Sequence, residues 1–407
     1  MSIPTLMGSM LLVSLIAFAG ICLRRIFKLN LPLACLLGGL LGGVIIEAFH
    51  LDTGIRAANI KDLVFFIVLP LLIFSAAWRL NARIFRRWFV VCFFLATVVM
   101  IASISITASA VYYAIAHPTG FPWIAALLVA TILSATDPVS VSAQLKTAGT
   151  SEDLQTIFEG ESLLNDATVV VFFGVLLSYA QGYEPNHNPV IEFLVVFFGG
   201  ITIGVLAGLL AAILTLFIND RSASVIILIF SAFGVFYLAE AIIHVSGIMA
   251  VTATAIIARV LLKDQHQNLL SDLGNTLNWL DLYLNSVIFS LMGLLFTFQM
   301  LTHQWLAIII AIVTTVIARF IVLHAFAYVT RWTRKEISQR WALLLSWGGQ
   351  KGLIAIALVL SLPIELDYWW TVQSMVFGVV LFSTVVQGES FPFLLRRILN
   401  HESTRKT

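Results

Sequence analysis

Long apolar segments follow one another along this chain, and they constrain its fold more than any other feature. Most of them reach the roughly 20 residues that an α-helix needs to cross a bilayer. Because unpaired backbone groups are costly in lipid, they predict an all-α polytopic membrane protein. Thirteen segments can be marked, approximately over residues 4–23, 31–49, 60–78, 88–116, 121–146, 157–180, 189–218, 222–243, 247–262, 276–300, 304–330, 340–362 and 368–395.

Composition excludes several other classes of protein. Hydrophobic residues make up 60% of the 407 residues and charged residues 11%, against roughly 25% charged residues in soluble proteins. A soluble enzyme, a nucleic-acid-binding protein and a disordered chain are therefore excluded. A membrane β-barrel is excluded too, since its strands alternate apolar and polar residues. The net charge of +2 indicates no charged macromolecular partner.

Basic residues indicate how the segments are oriented. All but four of the 23 Lys and Arg residues fall in alternate loops or at the C-terminus, which the positive-inside rule places in the cytoplasm. The exceptions are Arg56 and Lys61 in an opposite loop, and Arg319 and Lys351 inside apolar segments. This asymmetry supports thirteen spans, with the N-terminus outside and the C-terminus in the cytoplasm. A short interfacial helix is expected in the polar stretch 263–275.

Thirteen spans divide into six, one and six, which permits two inverted six-helix repeats around a linking helix. The fifth segment contains Ala135-Thr136-Asp137-Pro138, and its counterpart, the twelfth, contains Trp347-Gly348-Gly349-Gln350-Lys351-Gly352. Proline in one and glycines in the other predict two broken helices. Paired interruptions that also carry charge are typical of a transport site.

Glycine recurs at every fourth position in two of the segments. The seventh has Gly200, Gly204 and Gly208, and the second has the pairs Gly38/Gly42 and Gly39/Gly43. Such spacing predicts close helix packing, either within one protomer or between two protomers.

The densest polar cluster opens the sixth segment, at Glu159-Gly160-Glu161-Ser162-Leu163-Leu164-Asn165-Asp166. Helical spacing places Glu161 and Asn165 on one face, and Ser162 and Asp166 on the adjacent face. One row can bind a partner helix while the other lines a cavity. A cation such as Na⁺ prefers oxygen ligands. Ser162, Asp166 and the main-chain carbonyls freed between Thr136 and Pro138 supply them.

A single carboxylate explains how such a site could exchange ions. An isolated charge in a partly dry cavity is costly, so the carboxylate needs either a proton or a metal ion. We assign this role to Asp166, with Asp137 as a second transport residue. Glu161 is assigned a structural role as the ion-pair partner of Lys351. Arg319 is a further structural cation whose partner the sequence does not identify.

These three motifs, in this order and spacing, resemble the signature motifs of the sodium/proton exchanger family, in the bacterial cation:proton antiporter-1 group. The resemblance covers the whole membrane chain. It implies a secondary active transporter of the cell inner membrane, not an enzyme, that exchanges Na⁺ or Li⁺ for H⁺ and needs no cofactor. It also implies a Na⁺ site at Asp166, Ser162 and the Thr136 main chain, with Asp137 beside it. A neutral Asn at the position of Asn165 is similar to the electroneutral exchangers of the family.

The resemblance further implies a homodimer with an elevator-type mechanism. Residues 88–180 and 304–397 would form the moving core, and residues 1–87 and 222–300 the dimerisation side. Residues 189–218 would be the linking helix, and 398–407 a short cytoplasmic tail.

Two positions depart from the family pattern. Lys351 stands where Arg is usual, and Ser75 stands where an acidic residue is common. Lys351 is expected to weaken the ion pair with Glu161. Ser75 leaves the choice of cation open, and the site is expected to hold its cation more weakly because serine offers only a neutral hydroxyl there. The alternatives are a K⁺/H⁺ antiporter, a channel or uniporter, and a non-transporting sensor on the same scaffold.

Overall fold

The computed structural model describes residues 3–49, 64–115, 120–182, 189–218, 220–262, 267–333, 335–366 and 368–406. Arg56, Lys61 and Lys263 lie outside these residues. We number the helices in chain order. The first eight are α1 (Ile3–Phe27), α2 (Leu31–Ala48), α3 (Val64–Arg79), α4 (Ala82–Ala114), α5 (Trp123–Ile132), α6 (Val139–Thr147), α7 (Glu152–Ala180) and α8 (Pro189–Ile218).

The second half of the chain continues in the same all-helical manner. Its helices are α9 (Arg221–Ile243), α10 (Gly247–Leu262), α11 (Gln267–Leu295), α12 (Phe298–His303), α13 (Trp305–Thr330), α14 (Gln339–Trp347), α15 (Leu353–Leu360) and α16, which runs through Trp369–Phe382, Ser383–Gln387 and Gly388–Lys406.

Seven of the described helices are long and apolar enough to cross a membrane: α1, α4, α7, α8, α9, α13 and α16. Four shorter apolar helices accompany them: α2, α3, α5 and α10. The apolar segments marked in the sequence are thus mostly helical where they are described, with breaks inside the fifth and the twelfth. The number of crossings and the inverted repeats stay predictions.

Both predicted interruptions are present. The first lies between α5 and α6, where Pro138 is the residue before α6. The second lies between α14 and α15, where Gly348 to Gly352 separate Trp347 from Leu353. Each interruption leaves main-chain N–H and C=O groups without partners in their own helix. Within a membrane such groups occur only where other protein groups hydrogen-bond to them or where they line a hydrated cavity.

Three helices begin five or more residues before their marked segments: α4 at Ala82, α7 at Glu152 and α11 at Gln267. The first turn of α7 is acidic, and the Ser151 hydroxyl caps it by accepting a hydrogen bond from the Leu154 amide. Polar residues also open α11, where the sequence predicted a separate interfacial helix. Its first turns are held by Leu269, Leu273 and Leu277, which recur every four residues and are almost completely buried.

The repeated glycines pack helices together within one protomer. A Cβ at Gly200, Gly204 or Gly208 on α8 would overlap the backbone of α10. In the same way, a Cβ at Gly39 on α2 would overlap the α11 backbone around Ser290 and Gly293. The sequence left open whether these glycines face another protomer. In the structure, Gly200, Gly204, Gly208 and Gly39 each pack against backbone of the same protomer.

Candidate ion-binding site

The two helix interruptions meet in the interior. The Asp137 amide donates a hydrogen bond of 2.8 Å to the Gln350 carbonyl oxygen, so the two broken segments contact each other through their main chains. The Asp137 carboxylate accepts a hydrogen bond of 2.9 Å from the Val139 amide at the start of α6. Gly352 lies against this carboxylate so closely that a Cβ would overlap it.

Helix α7 runs past the first interruption and binds it through two side chains. The Ser162 hydroxyl donates to the Thr136 carbonyl oxygen. The Asn165 amide nitrogen donates to the Ser134 carbonyl oxygen at 2.8 Å and to the Thr136 hydroxyl at 3.3 Å. All four side chains are buried. The freed main-chain oxygens are thus held next to the polar face of α7.

A cavity of about 470 Å³ reaches this point, and Thr136, Asp137, Ser162 and Asp166 all line it. Oδ1 of Asp166 is buried and has no hydrogen-bond partner among the described residues. An unpartnered carboxylate oxygen beside a hydroxyl and freed carbonyls suits an incoming proton or cation. The structure therefore brings together the four groups to which the sequence assigned the ion.

The predicted ion pair of Glu161 has a different partner. Nη2 of Arg319 lies 3.1 Å from Oε1 of Glu161; the Glu161 side chain is buried and that of Arg319 is 12% exposed. Nε of Arg319 also donates to the Leu345 carbonyl oxygen at 3.2 Å, next to the second interruption.

Lys351, the partner that we predicted from sequence, forms no ion pair in the described part of the chain. Its backbone amide donates to the Ser383 hydroxyl at 2.8 Å, which ties the second interruption to α16. Its side chain is buried and lines a small pocket with Glu161 and Arg319. The pairing differs from prediction because two basic side chains share a pocket with one carboxylate, and Arg319 on α13 is the one that hydrogen-bonds to it.

Two further charged pairs line the same cavity, and sequence reasoning assigned neither of them a role. Arg79 at the end of α3 pairs with Asp281 on α11, and Lys146 pairs with Glu159 at 3.1 Å. A signal for the first pair was present in the sequence. Asn278, Asp281 and Asn285 are spaced by three and four residues, which places them on one helical face, and all three line the cavity.

Ser75 is fully buried, and it is not among the residues that line this cavity. Its hydroxyl donates a hydrogen bond of 2.7 Å to Oδ2 of Asp281. A carboxylate therefore stands next to the position where the sequence offered only a neutral hydroxyl, although it comes from α11 instead of α3.

Comparison with known proteins gives the family. A model of the transmembrane sodium/hydrogen exchanger matches residues 12–397, nearly the whole chain. The chain belongs to the sodium/hydrogen exchanger family. Like other members, it is a multi-pass membrane protein.

Named relatives agree with this membership. The Na⁺/H⁺ antiporter ApNhaP of Aphanothece halophytica is 31% identical over 84% of this chain and 66% of its own length. The Na⁺/H⁺ antiporter NhaG of Bacillus atrophaeus is 34% identical over 67% of this chain and 53% of its own length. This family member thus spans about half to two thirds of the length of these relatives.

A solved structure supports the fold of this family member. The sodium proton antiporter MjNhaP1 from Methanocaldococcus jannaschii superimposes with a TM-score of 0.81, covering 96% of this chain and 98% of its own. The sequence identity between the two is 18%.

Proposed function

We propose that this chain is a secondary active antiporter that exchanges Na⁺ or Li⁺ for H⁺ across the membrane. The observation that carries the proposal is the position of Asp166. Asp166 lines a cavity together with Ser162 and Thr136, and no described residue donates a hydrogen bond to its Oδ1. The named Na⁺/H⁺ antiporters among its relatives support the same reaction.

The exchange follows from charge balance at Asp166. A lone carboxylate charge in a low-dielectric site is costly, so a proton or a cation must neutralise it. Binding of one excludes the other, so the proton and the cation cross the membrane in opposite directions. Ser162 and the Thr136 carbonyl supply the further oxygen ligands that a bound cation needs. Asp137 lies on the wall of the same cavity and adds negative charge near the path.

Alternating access requires two parts of the protein that move relative to each other. We assign residues 88–180 and 304–397 to a moving core, and residues 1–87 and 222–300 to a dimerisation side, with 189–218 linking them. The cavity supports this division, because Asp166 and Asp137 come from the first set, whereas Arg79 and Asp281 come from the second. In this proposal the protein is an inner-membrane homodimer with its N-terminus outside and its C-terminus in the cytoplasm.

Reconstitution in proteoliposomes tests the function. The purified protein is enclosed with a pH-sensitive dye, and Na⁺, Li⁺, K⁺ or choline chloride is added outside. Proton movement driven by Na⁺ or Li⁺ supports the proposal. Proton movement driven by K⁺ alone would make the protein a K⁺/H⁺ antiporter. Cation flux without proton movement would indicate a channel or uniporter, and absence of both fluxes would indicate a sensor.

A further inference from the structure

The cavity is lined by a second group of polar and charged residues besides Asp166 and its neighbours. On α11, Asn278, Asp281 and Asn285 line it, and Arg79 approaches from the end of α3. The side chain of Asp281 is 8% exposed, so its charge is largely removed from solvent. A carboxylate in that position needs a partner that balances its charge, because an unpaired buried charge destabilises the fold.

The partners of Asp281 contact only one of its two oxygens. Oδ2 accepts hydrogen bonds from the Ser75 hydroxyl and from Nη2 of Arg79. Arg79 is itself held by the Asn278 side chain at 3.0 Å and by the Ser75 hydroxyl at 3.0 Å. Among the described residues, no hydrogen bond ends on Oδ1 of Asp281. The carboxylate therefore has one fixed oxygen and one free oxygen on a cavity-lining residue.

A free carboxylate oxygen is a ligand for a hard cation. Asp281 and Asp137 line the same cavity, so both carboxylates border the space that a cation would enter. A cation in that space is attracted by both. Arg79 opposes it, because the guanidinium already neutralises Asp281.

We infer that Asp281 is a further cation-binding residue of the transporter, and that Arg79 is a built-in competitor for it. In this inference, which rests on the proposed function, Oδ1 of Asp281 contacts the cation between the cavity mouth and Asp166. Arg79 balances Asp281 whenever the cation is absent. Ser75 orients the carboxylate and does not contact the ion. Cation affinity is thus set by residues of both groups.

A simpler role for Asp281 would be to neutralise Arg79 and nothing more. The two roles differ in one double variant. Asp281→Asn alone weakens cation binding in either case, since it leaves the Arg79 charge unopposed. Asp281→Asn combined with Arg79→Gln removes both charges and keeps the net charge of the pair at zero. If Asp281 is a ligand, this double variant still binds the cation weakly.

The test measures the half-saturating Na⁺ and Li⁺ concentrations for proton movement, together with cation-induced thermal stabilisation of the detergent-solubilised protein. For the double variant we expect both concentrations to rise about tenfold, which corresponds to roughly 1.4 kcal/mol of binding free energy. For Arg79→Gln alone we expect them to fall. Glu240→Gln is the matched control, because this carboxylate on α9 binds the Gly247 amide and does not line the cavity.

Unchanged half-saturating concentrations in the double variant would overturn the inference, as would unchanged or weaker binding in Arg79→Gln. Failure of the proposed function would look different. The unmodified protein would then show no cation-driven proton movement, whereas the thermal readout would still report whether Asp281 contributes to cation binding.

Discussion

The amide of Asp137 and the carbonyl oxygen of Gln350 are joined by a hydrogen bond of 2.8 Å, so the two broken segments are linked directly through their main chains. This bond satisfies two groups that the interruptions would otherwise leave without partners. It also places the only charged side chain of the first interruption, Asp137, against Gly352 of the second. The site is therefore assembled from both halves of the sequence.

Asp166→Asn should abolish Na⁺-driven proton movement. The amide cannot carry a proton in exchange for a cation, although it has nearly the same shape and should leave the protein folded. Proteoliposome fluorescence measures the exchange, and size-exclusion chromatography checks the fold. Asp272→Asn is the control, because Asp272 is exposed on α11. Normal exchange by Asp166→Asn would contradict the mechanism.

Glu161 and Arg319 should behave as a coupled buried pair. Removing either charge, by Glu161→Gln or Arg319→Gln, should lower stability by about 3–5 kcal/mol, since it leaves the other charge unpaired. The double variant should lose less than the sum of the two. A double-mutant cycle in thermal unfolding measures this coupling. A second cycle with Glu161→Gln and Lys351→Gln should give a smaller coupling energy, and the reverse order would restore Lys351 as the partner.

Gly352→Ala should strongly impair exchange, although it adds only one methyl group. The added Cβ would overlap the Asp137 carboxylate and displace it from the cavity wall. Overpacking of this kind typically costs about 1–3 kcal/mol of stability. Gly174→Ala is the matched control, since a Cβ on this α7 glycine meets nothing within 4 Å. Equal exchange rates for the two variants would show that the position of Asp137 is unimportant.

Transport should be electroneutral. Asn165 is neutral and donates its side-chain hydrogen bonds to the first interruption, so Asp166 carries one proton or one monovalent cation in each cycle. Under symmetric ion conditions, an imposed membrane potential should leave the exchange rate unchanged. Valinomycin-clamped proteoliposomes measure this. A rate that follows the voltage would instead require a second proton carrier, with Asp137 and Lys351 as the candidates.

Much of the site could be predicted because its chemistry is local. Proline and glycine mark the interruptions, and helical spacing separates the Ser162/Asp166 row from the Glu161/Asn165 row. The partner of Glu161 could not be predicted, since spacing along one helix does not say which of two distant cations reaches it. Arg79 and Asp281 were not assigned to the site because they lie near segment ends, where charges are usually solvated.

The glycine contact between α2 and α11 has a consequence for how this protein can evolve. At Gly39 and Gly293 the two backbones touch, and even a methyl group would force them apart. That face of α11 leaves no room for a side chain, whereas the face with Asn278, Asp281 and Asn285 lines the cavity. Mutation can therefore explore new ion preferences on one side of a single helix while the other side keeps the architecture unchanged.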